Sequence, residues 1–304
     1  MVGLNKVYNC DSLIGMKDLQ EKSVDLVLAD PPYNVGKDYG NKSDMQTKEE
    51  YLKFTRDWMT EAYRVLKDDG TIYVFGGLEY ISHMYLILEE IGFVFNSWIV
   101  WHYTQGAGRT KGFSSRHDDI LMFTKTKKFN FYLDKVRIPQ KYYRKRNNMA
   151  GANPGNVWKL SHIHYSESER TQHPTQKPHA LYLRMIMASS KEGEVILDPF
   201  AGSGSSLFVS KKTKRNYIGY EIEKKYIEII EEQLTHEKPF NSYFEEILRI
   251  PNDYKEEKDI LDYLTMHRDK FINKHYPELI EKFENEILEK YGESVLIQYR
   301  LSGH

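Results

Sequence analysis

The sequence predicts an α/β fold built on a mostly parallel sheet with helices on both faces. Short β-branched and aliphatic runs of strand length alternate along the chain with longer segments whose apolar residues keep helical spacing. Two of the strand-like runs end at an acid followed by a proline- or glycine-rich turn, and the carboxyl ends of strands are where open α/β sheets bind ligands. A chain of 304 residues, 40% of them hydrophobic, is long enough to bury a sizeable core without disulfide or metal support.

The elements follow in order. Residues 23–29, Ser-Val-Asp-Leu-Val-Leu-Ala, form a buried strand that stops at Asp30-Pro31-Pro32, because proline has no N–H to offer a ladder. Tyr51, Phe54, Trp58, Ala62, Val65 and Leu66 mark a helix with its aromatic residues in the core, and Lys67-Asp68-Asp69-Gly70 supplies its stop. A strand over 71–75, a helix over 80–91 and a strand over 93–101 come next. Periodicity then fades between Tyr103 and Gln172, where Gly, Asn, Lys and Arg become common. It resumes with helices over 178–190, 205–212 and 225–234, interleaved with strands over 194–197 and 217–220. Past His236, ten Lys/Arg face fifteen Asp/Glu, which reads as acidic helices over 258–273 and 278–291. The expected organisation is an α/β core from 1–102 and 173–235, an insert at 103–172 and a helical C-terminal extension at 236–304.

Forty-three Lys/Arg nearly cancel 44 Asp/Glu, so any surface for a polyanion must be a local patch. One exists. From Tyr103 to Asn147 there are twelve Lys/Arg, among them Arg109, Lys111, Arg116, Lys141, Arg144, Lys145 and Arg146, against only Asp118, Asp119 and Asp134. With Tyr132, Tyr142 and Tyr143 interleaved, this basic insert suits a nucleic-acid backbone with occasional base or sugar contact. Cys10 is the only cysteine, which excludes a disulfide within the chain and a cysteine-based zinc cluster and fits a reducing compartment. No histidine stands at a metal-site spacing, and no apolar stretch approaches the ~18 residues of a membrane span. The expectation is a cytoplasmic protein with neither metal nor membrane partner.

Two loops carry chemistry. Asp198-Pro199-Phe200-Ala201-Gly202-Ser203-Gly204 follows a strand and opens a helix, and its glycines let the backbone approach a ligand where a Cβ would collide. Glu221 lies 23 residues beyond Asp198, at the end of the next strand, where an acid accepts hydrogen bonds from a ribose diol. With no Gly-Lys-Ser/Thr and no third glycine at dinucleotide spacing, the nucleoside ligand is expected to lack a pyrophosphate. In Asp30-Pro31-Pro32-Tyr33 the prolines hold the Asp30 carboxylate and the Pro31 carbonyl as adjacent acceptors, beside an aromatic ring face at Tyr33. Such a set suits a planar group bearing an amine. An exocyclic base amine is a poor nucleophile because its lone pair is delocalised, and accepting both its protons favours a pyramidal, reactive nitrogen.

With these motifs the sequence resembles the S-adenosylmethionine-dependent DNA amino-methyltransferases of the β permutation class, in which the catalytic motif precedes the cofactor motif. Asp30 to Tyr33 matches the catalytic tetrapeptide, Asp198 to Gly204 the cofactor loop and Glu221 the ribose acid. His173-Pro174-Thr175-Gln176-Lys177-Pro178 matches a further signature, and Cys10-Asp11-Ser12 stands where the family has Gly-Asp-Ser. The resemblance implies a Rossmann-like methyltransferase fold in circularly permuted motif order. It implies S-adenosylmethionine as cofactor, touched by Asp11, Lys177, Asp198, Phe200, Ala201, Gly202, Ser203, Gly204 and Glu221, and double-stranded DNA as partner with the target base flipped out. A homodimer and a cognate restriction endonuclease are further partners the resemblance admits. Asp at the first catalytic position favours the N6 amine of adenine; the N4 amine of cytosine, an RNA substrate and a DNA-binding subunit without turnover stay open. Trp101-His102-Tyr103 lacks the Lys or Asp common after that tryptophan, which leaves the base contacts unassigned.

Overall fold

The computed structural model describes residues 2–36, 45–104, 106, 108–138, 151–160, 162–163, 170–235, 264, 280–291, 293, 295–296 and 299. The larger of two compact units, Met1–Tyr132 with Gly155–Lys238, is built on an eight-stranded sheet. In chain order its elements are β1 (Lys6–Asn9), α1 (Ser12–Lys17), β2 (Val24–Ala29), α2 (Lys48–Val65), β3 (Leu66–Gly76), α3 (Ile81–Ile91) and β4 (Val94–His102). Then follow β5 (His117–Thr124), β6 (Val157–Lys159), α4 (His179–Ser189), β7 (Val195–Asp198), α5 (Ser205–Lys212), β8 (Asn216–Glu221) and α6 (Lys224–Thr235). The strands lie in the order β1-β8-β7-β2-β3-β5-β4-β6. Every neighbouring pair is parallel except β3 with β5 and β5 with β4.

Alternation along each strand feeds both faces. Val27 and Ala29 of β2, Ile72 and Val74 of β3 and Leu121 and Phe123 of β5 share one core with Met16 of α1, Trp58 and Ala62 of α2 and Met84 and Leu88 of α3. On the other face α4 meets β3, where the Tyr73 and Ser189 hydroxyls hydrogen bond at 2.9 Å and the Phe75 and Tyr182 rings lie 5.8 Å apart. Burial of α4 on nearly every side explains its weak amphipathicity in the sequence. α2 begins with a capping box, Thr47 and Glu50 each satisfying the other's backbone N–H. Among the described residues no helix is long and apolar enough to cross a membrane.

The structure corrects the reading of three segments. The stretch after Tyr103 is not wholly irregular, because β5 runs through it at the centre of the sheet. Buried on both faces, its Ile120-Leu121-Met122-Phe123 shows no alternation to betray it. Lys67 to Gly70 is not a loop but the first part of β3, tied down by Lys67 to Asp25 at 2.6 Å and Lys22 to Asp68 at 2.8 Å. Lys125, one of the twelve cations of the basic insert, turns inward and donates to the Leu66 carbonyl at 2.6 Å. Both edge strands, β1 and β6, are short enough to have gone unread.

The smaller unit comprises Leu133–Pro154 and Pro239–His304. Within it Arg137 bonds Asp134 at 2.6 Å and the Gly151 carbonyl at 3.0 Å, and Ile138 bridges to Ala152. Its described helix, α7 (Ile280–Tyr291), matches the expected 278–291 helix and buries Phe283 and Ile287, with the Phe283 ring 6.2 Å from that of Tyr299. The expected helix at 258–273 lies outside the described residues apart from Leu264.

Candidate active site

Five neighbouring parallel strands deliver their carboxyl ends to one edge of the sheet. Asn9 of β1 stands beside Glu221 of β8, Asp198 of β7 beside Gly219 of β8, and Val27 of β2 beside Leu197 of β7. Asp11, Glu221, Asp198 and Asp30 therefore emerge together although the chain holds them far apart. Strand β5 runs the other way and contributes its amino end, with Asp119 opposite Gly76 and Asp118 opposite Trp101. A cleft of about 790 Å³ opens along this edge.

One half of the cleft is a loop braced from within. The Phe200 N–H donates to Asp198 Oδ1 at 2.9 Å and the Ser206 hydroxyl donates to Oδ2. Asp198 is 1% exposed, and burial pushes its carboxyl from 3.8 up to about 7. Gly204 has φ of +81°, and a Cβ there would sit 2.9 Å from the Ile230 side chain, so both backbone and space demand glycine. Glu221 accepts the Gly202 N–H and the Glu223 N–H, each at 2.8 Å, yet burial still raises its carboxyl above the ordinary value. An acid in that condition gains from further donors, which a sugar diol supplies. Phe200 packs edge-on against Phe54 and Trp58 at 5.9 and 5.3 Å, and Asp11 caps α1 by accepting the Leu13 N–H at 2.7 Å. The cap is held close because Gly15 lies under the Tyr220 ring, where a Cβ would come within 2.2 Å.

The other half is held across the fold. Asp30 Oδ1 accepts the Tyr33 hydroxyl at 3.0 Å, and Lys177 Nζ donates to Oδ1 at 3.0 Å and Oδ2 at 2.8 Å. This ion pair is buried, its side chains 16% and 7% exposed. Lys177 also lies 5.0 Å from the Tyr33 ring centre and 5.4 Å from that of Phe75. Burial, and next the charge of Asp30, hold the Tyr33 phenol well above its ordinary pKa, so it stays a donor. The Pro32 carbonyl accepts the Tyr51 hydroxyl at 2.7 Å, and Tyr51 meets Tyr80 edge-on at 4.6 Å, so the catalytic loop is braced by α2 and α3. Beyond Tyr33 the cleft is walled by Tyr103, whose hydroxyl donates to Asp118 Oδ1 at 3.0 Å, and by His162, whose ring lies 4.0 Å from that of Tyr103.

The sequence-predicted residues sort into three groups. Asp11, Asp30, Pro31, Pro32, Tyr33, Lys177, Phe200, Ala201, Gly202, Ser203 and Glu221 all line the cleft. Asp198 and Gly204 do not; they shape the loop from beneath. Arg109, Lys111 and Arg116 stand on the β4–β5 connection outside the cleft lining, and Lys141, Arg144, Lys145 and Arg146 lie outside the described residues. The resemblance put the Trp101-His102-Tyr103 segment on the target-base side, and Tyr103 does line the cleft, whereas nothing in the sequence signals Asp118, His162 and Tyr182 there and Phe54 reads as core alone. Only the placement of β5 in the sheet exposes Asp118. His173 of the His-Pro-Thr-Gln-Lys-Pro signature packs on Tyr226 at 4.4 Å and closes over Gly202, whose Cβ would meet it at 3.2 Å.

A family model described as DNA methylase matches residues 24–232, from the strand that presents Asp30 to the helix after Glu221. This chain belongs to the DNA methylase family. The methylase is 53% identical over 270 residues to the Type II methyltransferase M.HpaI of Haemophilus parainfluenzae, covering 88% of this chain and 86% of the relative. It is 34% identical over 236 residues to the DNA adenine methyltransferase YhdJ of Escherichia coli, covering 73% and 80% respectively. Its fold is similar to that of the PvuII DNA methyltransferase, a cytosine-N4-specific enzyme, with a TM-score of 0.65 at 17% identity over 88% of this chain and 94% of that one. S-adenosylmethionine is the cofactor of this methylase family, and the cleft fits it. Its acids supply acceptors for a ribose diol and a cationic amino-acid arm, and Phe200 supplies an aromatic face for the base.

Proposed function

We propose that this methylase transfers a methyl group from S-adenosylmethionine to the exocyclic N6 amine of adenine in DNA, with the base rotated out of the duplex. The observation that carries the reading is Asp30 at the end of β2, a carboxylate backed by two prolines and facing the cleft. Asp11, Phe200, Gly202 and Glu221 would hold the cofactor, which would supply an electrophilic methyl carbon on its sulfonium. Asp30 and the Pro31 carbonyl accept the two amine protons, which turns the nitrogen lone pair out of conjugation and toward the methyl carbon. The nitrogen that accepts the methyl group would gain positive charge as the bound cofactor gives it up and leaves as a neutral thioether. The Asp30 carboxylate stabilises that charge and takes up the proton the nitrogen must shed. Lys177 has to yield its hydrogen bonds to Asp30 for this to happen, because both carboxylate oxygens are engaged by Lys177 and Tyr33 before the base arrives.

Asp rather than Ser at the first catalytic position supports adenine, as does the name of the relative YhdJ. Cytosine-N4 transfer is the second reading, supported by the cytosine-N4-specific neighbour. Arg109, Lys111 and Arg116, together with Lys141, Arg144, Lys145 and Arg146, serve the DNA phosphates in this reading, since duplex binding rests on such contacts. Likeness to Type II methyltransferases supports a restriction endonuclease of the same site as a companion. The test is nucleoside mass spectrometry of DNA methylated by the purified protein with S-adenosylmethionine. N6-methyladenine is the expected product, and N4-methylcytosine alone overturns the adenine assignment.

A further inference from the structure

The β4–β5 connection, 103–116, springs from the wall of the cleft. Tyr103 and Gly106 line it, and the Tyr103 N–H to Arg116 carbonyl bond at 3.0 Å closes the base of the loop. From 104 to 116 the sequence holds Arg109, Lys111 and Arg116 and no acid. The Arg109 N–H donates to the Ser114 hydroxyl at 2.8 Å, which shapes the turn between them, and Gly112 takes φ of +82°. That turn carries Phe113, which is 100% exposed, the extreme case among the exposed large hydrophobics of the described residues. Single exposed apolar side chains are common, and what marks Phe113 is a ring with no cover at all on a loop that carries two exposed cations. The partner's chemistry is set by the neighbours: Arg109 and Lys111 are exposed and make no ion pair among the described residues, leaving two cations beside the ring for a polyanion.

We propose that Phe113 is the wedge that enters the base stack when the target nucleotide leaves it. The inference rests on the reading of this chain as a methylase that rotates its base out of the duplex. Extrusion leaves a gap between the flanking base pairs, and contacts elsewhere must offset the lost stacking and pairing. An apolar ring inserted at that step recovers stacking on the neighbouring bases and blocks the return of the nucleotide, while Arg109 and Lys111 hold the adjoining phosphates. The loop starts at the cleft, which Tyr103 and Gly106 line. Tyr132, one of the tyrosines interleaved in the basic insert, is anchored against α4 by its N–H to the Ala188 carbonyl at 2.7 Å and lies under Lys191.

The experiment compares the parent with Phe113→Ala and Phe113→Trp on two ~24-base-pair duplexes carrying the methylated site, one fully paired and one lacking the base opposite the target. Because the side chain is fully exposed, neither substitution disturbs the fold. Phe113→Ala is expected to lower kcat/KM about tenfold or more on the paired duplex and to recover to within about threefold of the parent on the gapped one, with S-adenosylmethionine affinity unchanged. Phe113→Trp keeps the parent's activity, and its emission falls on binding the paired duplex as the indole stacks. Equal activity of Phe113→Ala and parent on the paired duplex overturns the wedge, and so does a loss of equal size on both duplexes. A 2-aminopurine in place of the target base that stays dark in the parent complex, while a matched duplex with the natural target is methylated, overturns base rotation itself and the wedge with it. Bright 2-aminopurine in both proteins at equal rates overturns the wedge alone. The arms apply to whichever base accepts the methyl.

Discussion

The two halves of the cleft are held together in opposite ways. In the cofactor half, partners are near neighbours on β7, its loop and β8: Asp198 with Phe200 and Ser206, and Glu221 with Gly202 and Glu223. In the catalytic half the key partner of Asp30 is Lys177, 147 residues away, and the brace on Pro32 is Tyr51 from α2. A site whose polar groups are satisfied locally is preformed for its ligand. The Asp30 half is also satisfied, but by a distant lysine, which on the proposed reading an incoming amine would have to displace.

Four measurements break or sharpen this contrast. Asp30→Ala removes the acceptor that acts on the amine and is expected to lower kcat by ~10³ or more while S-adenosylmethionine affinity stays within about tenfold, read by single-turnover kinetics and calorimetry. A loss of cofactor affinity as large as the loss of rate would mean the halves are not separable. The second is a pH effect in the local half. Burial raises Asp198 to about 7, above its unfolded value, so the stability it contributes is full below about pH 4 and is lost as pH rises through about 7. Urea melts between pH 5 and 8 should show a decline to which Asp198 adds about 2–3 kcal/mol, and Asp198→Asn should flatten that part of it.

Third, Glu221→Gln keeps the shape but offers the ribose a weaker acceptor, and is expected to weaken S-adenosylmethionine about 5–30-fold with kcat at saturation little changed. Unchanged affinity would remove Glu221 from the cofactor half. The last is the coupling of Asp30 with Lys177. In a double-mutant cycle of Asp30→Asn and Lys177→Met read by denaturant unfolding, the pair should show an interaction of about 1–3 kcal/mol, because each single change leaves the other group buried without its partner. Additive losses would mean that the lysine does not lock the carboxylate.

By itself the sequence determined the motifs that carry chemistry and the strands that bear them. Asp30 and Glu221 each lie at the end of an apolar run, and the Gly202 and Gly204 positions are dictated by backbone and local space, so these features are local and can be read locally. The family's permuted order was legible for the same reason. Tertiary structure alone decided the rest. Strand β5 is buried on both faces and shows no period, so its place between β3 and β4, and with it the arrival of Asp118 at the cleft, exists only in the assembled sheet. Lys177 reads in sequence as a cofactor residue and becomes the partner of Asp30 only when α4 and β2 are stacked. Lys125 reads as a surface cation and is turned inward by its neighbours. Contacts between residues distant in the chain leave no periodic trace, because they depend on strand order and helix placement rather than on spacing.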